Sequence, residues 1–546
     1  MKKNSFVEGT FIATIAVVLT KIIGVLYVIP FYDIIGEQGG ALYAYAYNVY
    51  QIFLSVSTAG IPIAISKLVS EYNTLEMYDA KNRVYKVGKK MLAIISVLLF
   101  FILFVFAEEA AKLILGDITG GNTIEDVIFV VRCVSFCLLV IPFLSISRGY
   151  LQGHRFISAP STSQVIEQII RVAVILSGSY LVLKVFNGSL NLAVGISVFA
   201  AFLGGLAALL YLQFNIHKNK KELNLSTKVK KDKITNKEIF NKIIKYSLPL
   251  IIVSVASNIY SFVDMVLLNR GLDMLNFSGP KIETITTIAT TWAPKLGVIV
   301  NSVAIGMCMS LIPYIVESFV KKEYESVNHK FNRALQIIVL TSIPMVLGII
   351  ILAIPIFNIF YGNIPEGPGI LRLIIINSFI WNIYIVTDMV LQSLNKFKLV
   401  YITTFFGFGL NALLDIPFIL LFDKLGLPPY YGATFSTIFS SSLTVLIALI
   451  SLKKEFKLSY RPVINTFGKL IVPSVVMTAV LYLLSFIVPL SGYNFMGNVL
   501  VCCLYALVGS IIFIYLSYRS GILVEVLTKE YIDNFLNKFK RLLKIK

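Results

Sequence analysis

Long apolar runs alternate with short polar segments along the whole chain. Each run offers the roughly 20 apolar residues that a helix needs to cross the hydrocarbon core of a bilayer. Fourteen predicted spans lie at 7–31, 41–66, 91–107, 127–147, 160–183, 191–214, 243–268, 285–314, 335–360, 370–394, 399–422, 431–452, 468–489 and 496–518. The pattern predicts an all-α integral membrane protein without a soluble domain of useful size.

The polar segments between these runs alternate in charge. Lys and Arg concentrate in every second loop, as in 67–90 and 215–242, whereas the intervening loops 108–126 and 490–497 are acidic or neutral. Basic loops of membrane proteins stay on the cytoplasmic side. The alternation therefore predicts a multi-pass protein of the plasma membrane with both termini in the cytoplasm.

Composition agrees with this interpretation. Hydrophobic residues make up 57% of the 546 residues and charged residues 14%, against about 25% charged residues in soluble domains. The net charge of +19 reflects the basic loops. Because the run 215–242 has no interleaved aromatic residues, we expect membrane lipids and no nucleic acid as its neighbours. The last segment, 520–546, has the pattern of an amphipathic helix on the inner leaflet.

The chain contains a weak internal repeat. Ile61-Pro62 recurs as Ile312-Pro313, and Leu151-Gln152 recurs as Leu391-Gln392. Because the second copy starts after an even number of spans, the copies should be parallel and related by an axis along the membrane normal, an arrangement suited to alternating access. The predicted domains are an N-lobe (1–214), a basic cytoplasmic linker (215–242), a C-lobe (243–452), two additional helices (453–519) and the amphipathic helix (520–546).

Two lysines lie inside predicted spans, where a charge costs about 2.5–3.5 kcal/mol on insertion scales. Lys21 lies in the middle of the first span, and Lys295 follows Pro294 in the eighth. If both face a shared cavity, they would attract a di-anionic head group such as a pyrophosphate. The alternatives are an ion pair of Lys21 with Glu8 and extension of the Lys295 side chain towards the surface.

The fifth span carries a polar stripe. Glu167 and Arg171 are four residues apart and can pair on one helix face, and Gln164 extends the same face. We interpret the stripe as a structural polar network.

A second set of polar residues could bind a cation. Asn411 and Asp415 are four residues apart in the eleventh span, and Asp264 lies in the seventh. Two carboxylates and an amide oxygen are hard ligands suited to sodium. A proton-coupled carboxylate and a hydrogen-bonded cluster between helices are the alternatives.

Catalytic motifs are missing from the sequence. The three histidines fall in predicted cytoplasmic loops, and neither a nucleophile set nor a Walker motif is present. We expect no enzyme and no cofactor other than a coupling Na⁺ or H⁺.

Two stretches resemble a known family. Ser147-Arg148-Gly149-Tyr150-Leu151-Gln152-Gly153, followed by Gln164, Glu167 and Arg171, and the stretch 60–72 are similar to the polysaccharide-transport flippases of the MOP superfamily. Within it they resemble the Gram-positive-type branch of MurJ-type lipid II flippases and stage V sporulation protein B.

The resemblance implies a MATE-like, V-shaped pair of six-helix lobes that carries an undecaprenyl-pyrophosphate-linked precursor from the inner to the outer leaflet. A groove beside the last two spans would guide the polyprenyl tail. The implied cavity cations are Lys21 and Lys295, with Lys67 or Arg148 at the inner mouth. The implied sodium ligands are Asp264, Asn411 and Asp415. The helix-two arginines of the better-known branch are replaced by apolar residues near Phe53 and Leu54.

Four functions therefore remain to be compared. The first is a lipid II flippase driven by a cation or by the membrane potential, and the second a flippase for a capsule, teichoic or spore-cortex precursor. The third is a multidrug-type exporter, which normally has twelve spans. The fourth is a scaffold for septal or sporulation enzymes. We expect a monomer, with cell-wall synthesis enzymes as candidate partners.

Overall fold

The computed structural model describes residues 16, 19–223, 225, 232–394 and 396–527, and those ranges contain helices but no β-strand. Cα packing divides the chain into two units, Met1–Thr287 and Ile288–Lys546. The first unit contains helical residues 19–26, α1 (Val28–Thr58), α2 (Ile61–Thr74), α3 (Tyr78–Val105), α4 (Ala107–Leu115), α5 (Ile124–Ser135), α6 (Ile141–Gly153), α7 (Ser158–Tyr180), α8 (Leu190–Lys218), α9 (Asn236–Asp273) and α10 (Gly279–Thr287).

The second unit is also helical. It contains α11 (Ala293–Val320), α12 (Tyr324–Ile351), α13 (Ala353–Tyr361), α14 (Gly367–Ser393), α15 (Phe397–Lys424), α16 (Tyr430–Phe456), α17 (Arg461–Ile487), α18 (Phe495–Arg519) and α19 (Ile522–Leu527).

Among the described residues, 12 helical segments are long and apolar enough to cross a membrane. The first of these, Val28–Thr74, joins α1 and α2. The number agrees approximately with the fourteen predicted spans, because it leaves out α11 and the residues before Val28. The all-α membrane fold is therefore confirmed.

Several predicted features lie wholly or partly outside the described residues. They are Glu8, the first part of the first span, the middle of the basic linker and the amphipathic segment beyond Leu527.

The boundary between the first two predicted spans differs from expectation. The sequence predicts a loop at 32–40, whereas helix runs through this region and only Gly36 leaves the helical conformation, with φ +67°. Glycine adopts this left-handed backbone without a Cβ clash. A kink at one residue therefore replaces the predicted loop.

Each unit also contains a short helix that the hydropathy pattern did not separate. Helix α4 follows α3 and ends at Gly116 with φ +60°, and α13 follows α12 and ends at Gly362 with φ +81°. Both helices have 9 residues and both end at a glycine, a common way to terminate a helix. Leu115-Gly116-Asp117 and Tyr361-Gly362-Asn363 stand at the ends of these two helices.

The helix that carries Lys295 is irregular at its start. A π-helical turn, Ile288–Trp292, precedes α11, and Pro294 is the second residue of that helix. The Tyr361 hydroxyl donates a hydrogen bond to the Trp292 carbonyl at 3.1 Å, and the two rings stack with centroids 4.7 Å apart. This contact satisfies a backbone carbonyl beside the irregular start of α11.

The core of the first unit brings α2, α3 and α6 together with α8 and α9. Helices α2 and α6 approach closely through two glycines four residues apart, Gly149 and Gly153. A Cβ on Gly149 would lie 2.5 Å from the Pro62 carbonyl oxygen, and one on Gly153 would lie 2.7 Å from the Ser66 carbonyl oxygen. Small residues at this spacing let membrane helices pack backbone against backbone.

Helices α17 and α18 pack against the rest of the second unit. A buried cluster joins residues of α12, α17 and α18 with Ile522 and Val526 of α19. The Lys469 ammonium group lies 2.5 Å from the Glu525 carboxylate, and the Arg333 guanidinium donates to the Glu525 carbonyl. The described start of the C-terminal segment is thereby attached to α12 and α17.

Candidate functional site

The polar stripe of the fifth span lies on α7 and reaches two neighbouring helices of the first unit. Glu167 pairs with Arg148 of α6, with 2.7 Å between the guanidinium and the carboxylate. The same arginine donates from Nε to the Ser163 hydroxyl at 2.9 Å. Glu167 is therefore paired with α6 rather than with Arg171 on its own helix. Both members of the pair are mostly buried, with 18% and 19% of their side chains exposed.

Arg171 instead contacts the tyrosines of α1. Its Nη2 lies 3.5 Å from the Tyr43 hydroxyl, and the guanidinium carbon lies 5.7 Å from the centre of the Tyr47 ring. The two rings stack nearly parallel, with centroids 6.0 Å apart. Within the described ranges, Arg171 has electrostatic partners among tyrosines but no carboxylate within ion-pair distance.

Lys21 lies on a helix that runs along the same stripe. A Cβ on Gly24 would lie 3.3 Å from the Gln168 amide nitrogen, and Tyr27 is within electrostatic range of Arg171. These contacts place Lys21, one turn before Gly24, at about the level of Gln164 on α7. Lys21 is half-buried, and its ammonium group forms no ion pair with any residue that the structure describes.

The two cations proposed for the inner mouth differ in their surroundings. Lys67 is exposed on α2, with its ammonium nitrogen 3.9 Å from the centre of the Tyr246 ring. Arg148 is engaged by Glu167 and Ser163. Lys67 therefore stays available to an anionic ligand, whereas Arg148 would have to exchange an existing partner.

The second unit contains three of the predicted site residues. Lys295 is half-buried at the start of α11. On α15, the Asn411 amide donates to both carboxylate oxygens of Asp415, at 3.1 and 3.2 Å. The Ser436 hydroxyl of α16 donates to the Asn411 amide oxygen at 3.3 Å. Asn411 and Asp415 are buried, at 1% and 0% exposed.

This buried cluster offers the kind of ligands that sodium takes. A carboxylate, an amide oxygen and a hydroxyl are hard oxygen donors, and they lie together on α15 and α16. Asp264, the third predicted ligand, belongs to α9 of the first unit. No group of three or more His, Cys, Asp or Glu side chains suited to a metal occurs in the described part of the chain.

Two apolar cavities flank α17. One, of about 750 Å³, lies between α12, α14 and α17 and includes Phe379, Leu470 and Tyr482 in its lining. The other, of about 580 Å³, lies between α11, α12, α13, α17 and α18 and includes Leu481 and Phe513. Such cavities suit an apolar chain and offer little to a charged head group.

Sequence reasoning missed the tyrosines that surround Arg171. Tyr43, Tyr47 and Tyr50 recur at helical spacing on α1. In a membrane helix, three phenols on one face are a detectable signal, because buried hydroxyls need hydrogen-bond partners. The three tyrosines did not stand out in the sequence, because tyrosine is counted among the hydrophobic residues.

Comparison with known proteins decides the family. Residues 6–319 match the model of the family described as polysaccharide biosynthesis protein. The chain is 31% identical over 535 residues to the lipid II flippase MurJ of Bacillus subtilis (strain 168), covering 96% of this chain and 97% of that protein. The chain belongs to this family.

Another relative of this protein also agrees with the resemblance seen in the sequence. Stage V sporulation protein B of Bacillus subtilis (strain 168) is 22% identical over 371 residues, which cover 66% of this chain and 68% of that protein. The expected kinship with both kinds of protein is confirmed.

Solved structures support the fold of this polysaccharide biosynthesis family member. The lipid II flippase MurJ in its inward closed conformation matches with a TM-score of 0.66 and 19% identity, covering 95% of this chain and 100% of that chain. An inward-facing multidrug resistance MATE family transporter of the MOP superfamily matches with a TM-score of 0.62 and 13% identity, covering 82% of this chain and 98% of that chain. At these identities the likeness concerns the fold alone, and it confirms the MATE/MOP-like prediction.

Proposed function

We propose that this protein is a flippase that moves an undecaprenyl-pyrophosphate-linked precursor of peptidoglycan, lipid II, from the inner to the outer leaflet. The observation that carries the proposal is the near full-length similarity to the lipid II flippase MurJ of Bacillus subtilis. The protein is a multi-pass membrane protein of a transporter family and not an enzyme. Its basic loops and both termini face the cytoplasm in this proposal.

The chemistry of the first unit suits a charged head group. Lys21 is half-buried and has no ion-pair partner among the residues that the structure describes. An uncompensated cation at membrane depth is expensive unless a ligand or water reaches it. A pyrophosphate would supply the missing negative charge. Lys295 offers a second half-buried cation at the start of α11 in the second unit.

The apolar cavities suit the other end of such a lipid. Helices α12 and α17 line both cavities and α18 lines the smaller one, and twelve-helix exporters need no such additional pair as α17 and α18. We propose that these cavities guide the polyprenyl tail while the head group crosses. Translocation proceeds by alternating access, coupled to a cation or to the membrane potential. The protein works as a monomer in this proposal, beside the enzymes of cell-wall synthesis.

Charge removal at the two lysines tests the proposal. Lys21→Ala and Lys295→Ala are each expected to abolish the appearance of lipid II on the outer leaflet, because the pyrophosphate loses a compensating cation. The measurement is the accessibility of lipid II to an external probe, with membrane insertion checked by immunoblot. Lys184→Ala is the matched control, since Lys184 is exposed at the end of a helix and its removal should leave flipping intact. Unchanged flipping in both lysine variants would remove the cavity assignment.

The identity of the glycan needs a separate experiment, because stage V sporulation protein B is also a relative. Expression in a strain depleted of its lipid II flippase should restore growth if lipid II is the substrate. Failure to rescue, together with co-purification of another undecaprenyl-linked glycan in native mass spectrometry, would favour a capsule, teichoic or spore-cortex precursor.

A further inference from the structure

Arg171 is a charge at the centre of a membrane helix. It is the fourteenth residue of the 28-residue helical run Ser158–Val185. A guanidinium at this depth is costly to insert, and arginines in such places normally face a carboxylate, a polar cavity or a ligand. Its environment therefore requires an explanation.

The structure offers Arg171 little compensation. Glu167, one turn away, is paired with Arg148 at 2.7 Å. The hydrogen bond from Arg171 to the Tyr43 hydroxyl is long, at 3.5 Å. A guanidinium has five N–H donors, so a single long bond leaves most of them unused by the described residues.

Two tyrosines of α1 hold the guanidinium of Arg171 in place. Arg171 and Tyr47 are both half-buried, whereas Tyr43 is buried and holds its hydroxyl beside the guanidinium. Tyr47 presents its ring face to the guanidinium at 5.7 Å and stacks on Tyr43. Because a ring face and a hydroxyl constrain the guanidinium, its fork keeps one orientation before an anion arrives.

The helix of Lys21 borders the same group. Tyr27 lies within electrostatic range of Arg171, and Gly24 approaches Gln168, three residues before Arg171. Lys21 is two turns from Tyr27 on this helix. A ligand with two phosphate groups could thus meet a point charge and a planar fork on neighbouring helices.

We propose that Arg171, Tyr43 and Tyr47 form a phosphate-binding subsite for the lipid-linked substrate. The proposal rests on the proposed function and adds a named contact to it. Arg171 binds a phosphate through its guanidinium fork, and Tyr43 and Tyr47 hold the guanidinium in position. The contacts to α1 that Arg171 makes in the structure orient the fork for this purpose.

The experiment measures lipid binding by the purified full-length protein with native mass spectrometry. The probes are undecaprenyl pyrophosphate and undecaprenol, which share the tail and differ in the phosphates. The variants are Arg171→Gln and, as a matched control, Arg132→Gln. Arg132 also lies on a helix of the first unit and, like Arg171, has one hydrogen bond, here to the Phe104 carbonyl at 3.3 Å, and one aromatic contact.

Arg171→Gln is expected to weaken binding of undecaprenyl pyrophosphate by about tenfold or more, as loss of a hydrogen bond to a charged group implies. Binding of undecaprenol should not change, and Arg132→Gln should bind both lipids like the wild type. Equal weakening of both lipids in Arg171→Gln would show that Arg171 only supports the packing of α1 and would overturn the subsite.

Two further outcomes separate the subsite from the proposed function. If the wild type prefers the pyrophosphate lipid and Arg171→Gln retains that preference, the subsite is wrong and the flippase proposal stands. If the wild type shows no preference for the pyrophosphate lipid, both fail. If Arg171→Gln does not fold, Arg171→Lys takes its place, because lysine keeps the charge but lacks the guanidinium fork. Binding of undecaprenyl pyrophosphate by Arg171→Lys equal to that of the wild type would overturn the subsite.

Discussion

At the scale of single residues, Glu283 is an unusual carboxylate at the edge of the first unit. It is buried at 1% exposed. One oxygen accepts from the Asn122 backbone N–H at 2.9 Å, and the other accepts from the Asn122 side-chain amide at 2.8 Å. Burial, with a smaller contribution from the nearby Asp126, raises its pKa from the ordinary 4.5 to about 7, against the lowering effect of the two hydrogen bonds. Glu283 lies outside the predicted spans and joins α10 to the loop before α5.

The raised pKa makes stability depend on pH. The folded protein holds a proton on Glu283 between about pH 4.5 and 7, where the unfolded chain does not. The stabilisation is fully present below pH 4.5 and is lost as the pH rises to about 7. Over this range the free energy of unfolding falls by about 3 kcal/mol. We expect the wild type to unfold at a lower temperature at pH 7.5 than at pH 5.5. Glu283→Gln should remove this difference.

The measurement is thermal unfolding in lipid nanodiscs over this pH range. Glu37→Gln is a matched control, because Glu37 is exposed and accepts from the Thr284 hydroxyl at 3.0 Å, next to Glu283. This variant should keep the pH dependence of the wild type. A Glu283→Gln profile identical to the wild type would contradict the assignment.

At the scale of elements, the helix pair α2 and α6 depends on two glycines in the stretch that resembles the flippase family. Gly149 and Gly153 face the Pro62 and Ser66 carbonyls of α2. Backbone atoms cannot move aside as a flexible side chain can. The motif therefore has a packing role that is independent of any contact with substrate.

Gly149→Ala should force α6 away from α2 and destabilise the protein by about 1–3 kcal/mol. The lower unfolding temperature would be measured in nanodiscs by loss of helical circular dichroism. Gly409→Ala is the control, because a Cβ at this position on α15 would meet nothing within 4 Å. It should leave the unfolding temperature unchanged or raise it, since alanine favours a helix over glycine by about 1 kcal/mol. Equal effects at both positions would argue against close packing of α2 and α6.

At the scale of the whole molecule, the predicted site residues divide between the two units. Lys21 and Asp264 belong to the first, whereas Lys295, Asn411 and Asp415 belong to the second. Alternating access in transporters built from two repeats moves one against the other. We propose that a bound coupling ion influences this motion, with Asn411 and Asp415 supplying buried oxygen ligands in the second unit.

Replacing sodium with a large organic cation should change the flipping rate or the populations of the conformations. Asp415→Asn should remove the response, because it removes the carboxylate charge. Reconstituted vesicles with fluorophores on the two units report both quantities. Asp423→Asn, an exposed position on the same helix, should respond like the wild type. If neither sodium nor a proton gradient has any effect on the wild type, the coupling site is wrong.

The sequence alone determined the class of the molecule. The all-α membrane fold and the family follow from apolar runs and local motifs, because a backbone in hydrocarbon must satisfy its hydrogen bonds within each segment. The predicted spans 399–422 and 496–518, for example, form the helices Phe397–Lys424 and Phe495–Arg519. Local polar pairs such as Asn411 and Asp415 were also predictable, since residues four apart share a helix face.

Only the tertiary structure decided which partner each charge takes. Spacing allowed Glu167 to pair with Arg171. The packing of α6 beside α7 instead brought Arg148 to 2.7 Å from Glu167, and Arg171 contacts a tyrosine of α1. The burial of Glu283 likewise depends on a loop 161 residues away in sequence. The reason is physical: hydrophobic burial acts on every segment by itself, whereas the energy of a charge depends on the few ångströms that separate it from groups on other helices.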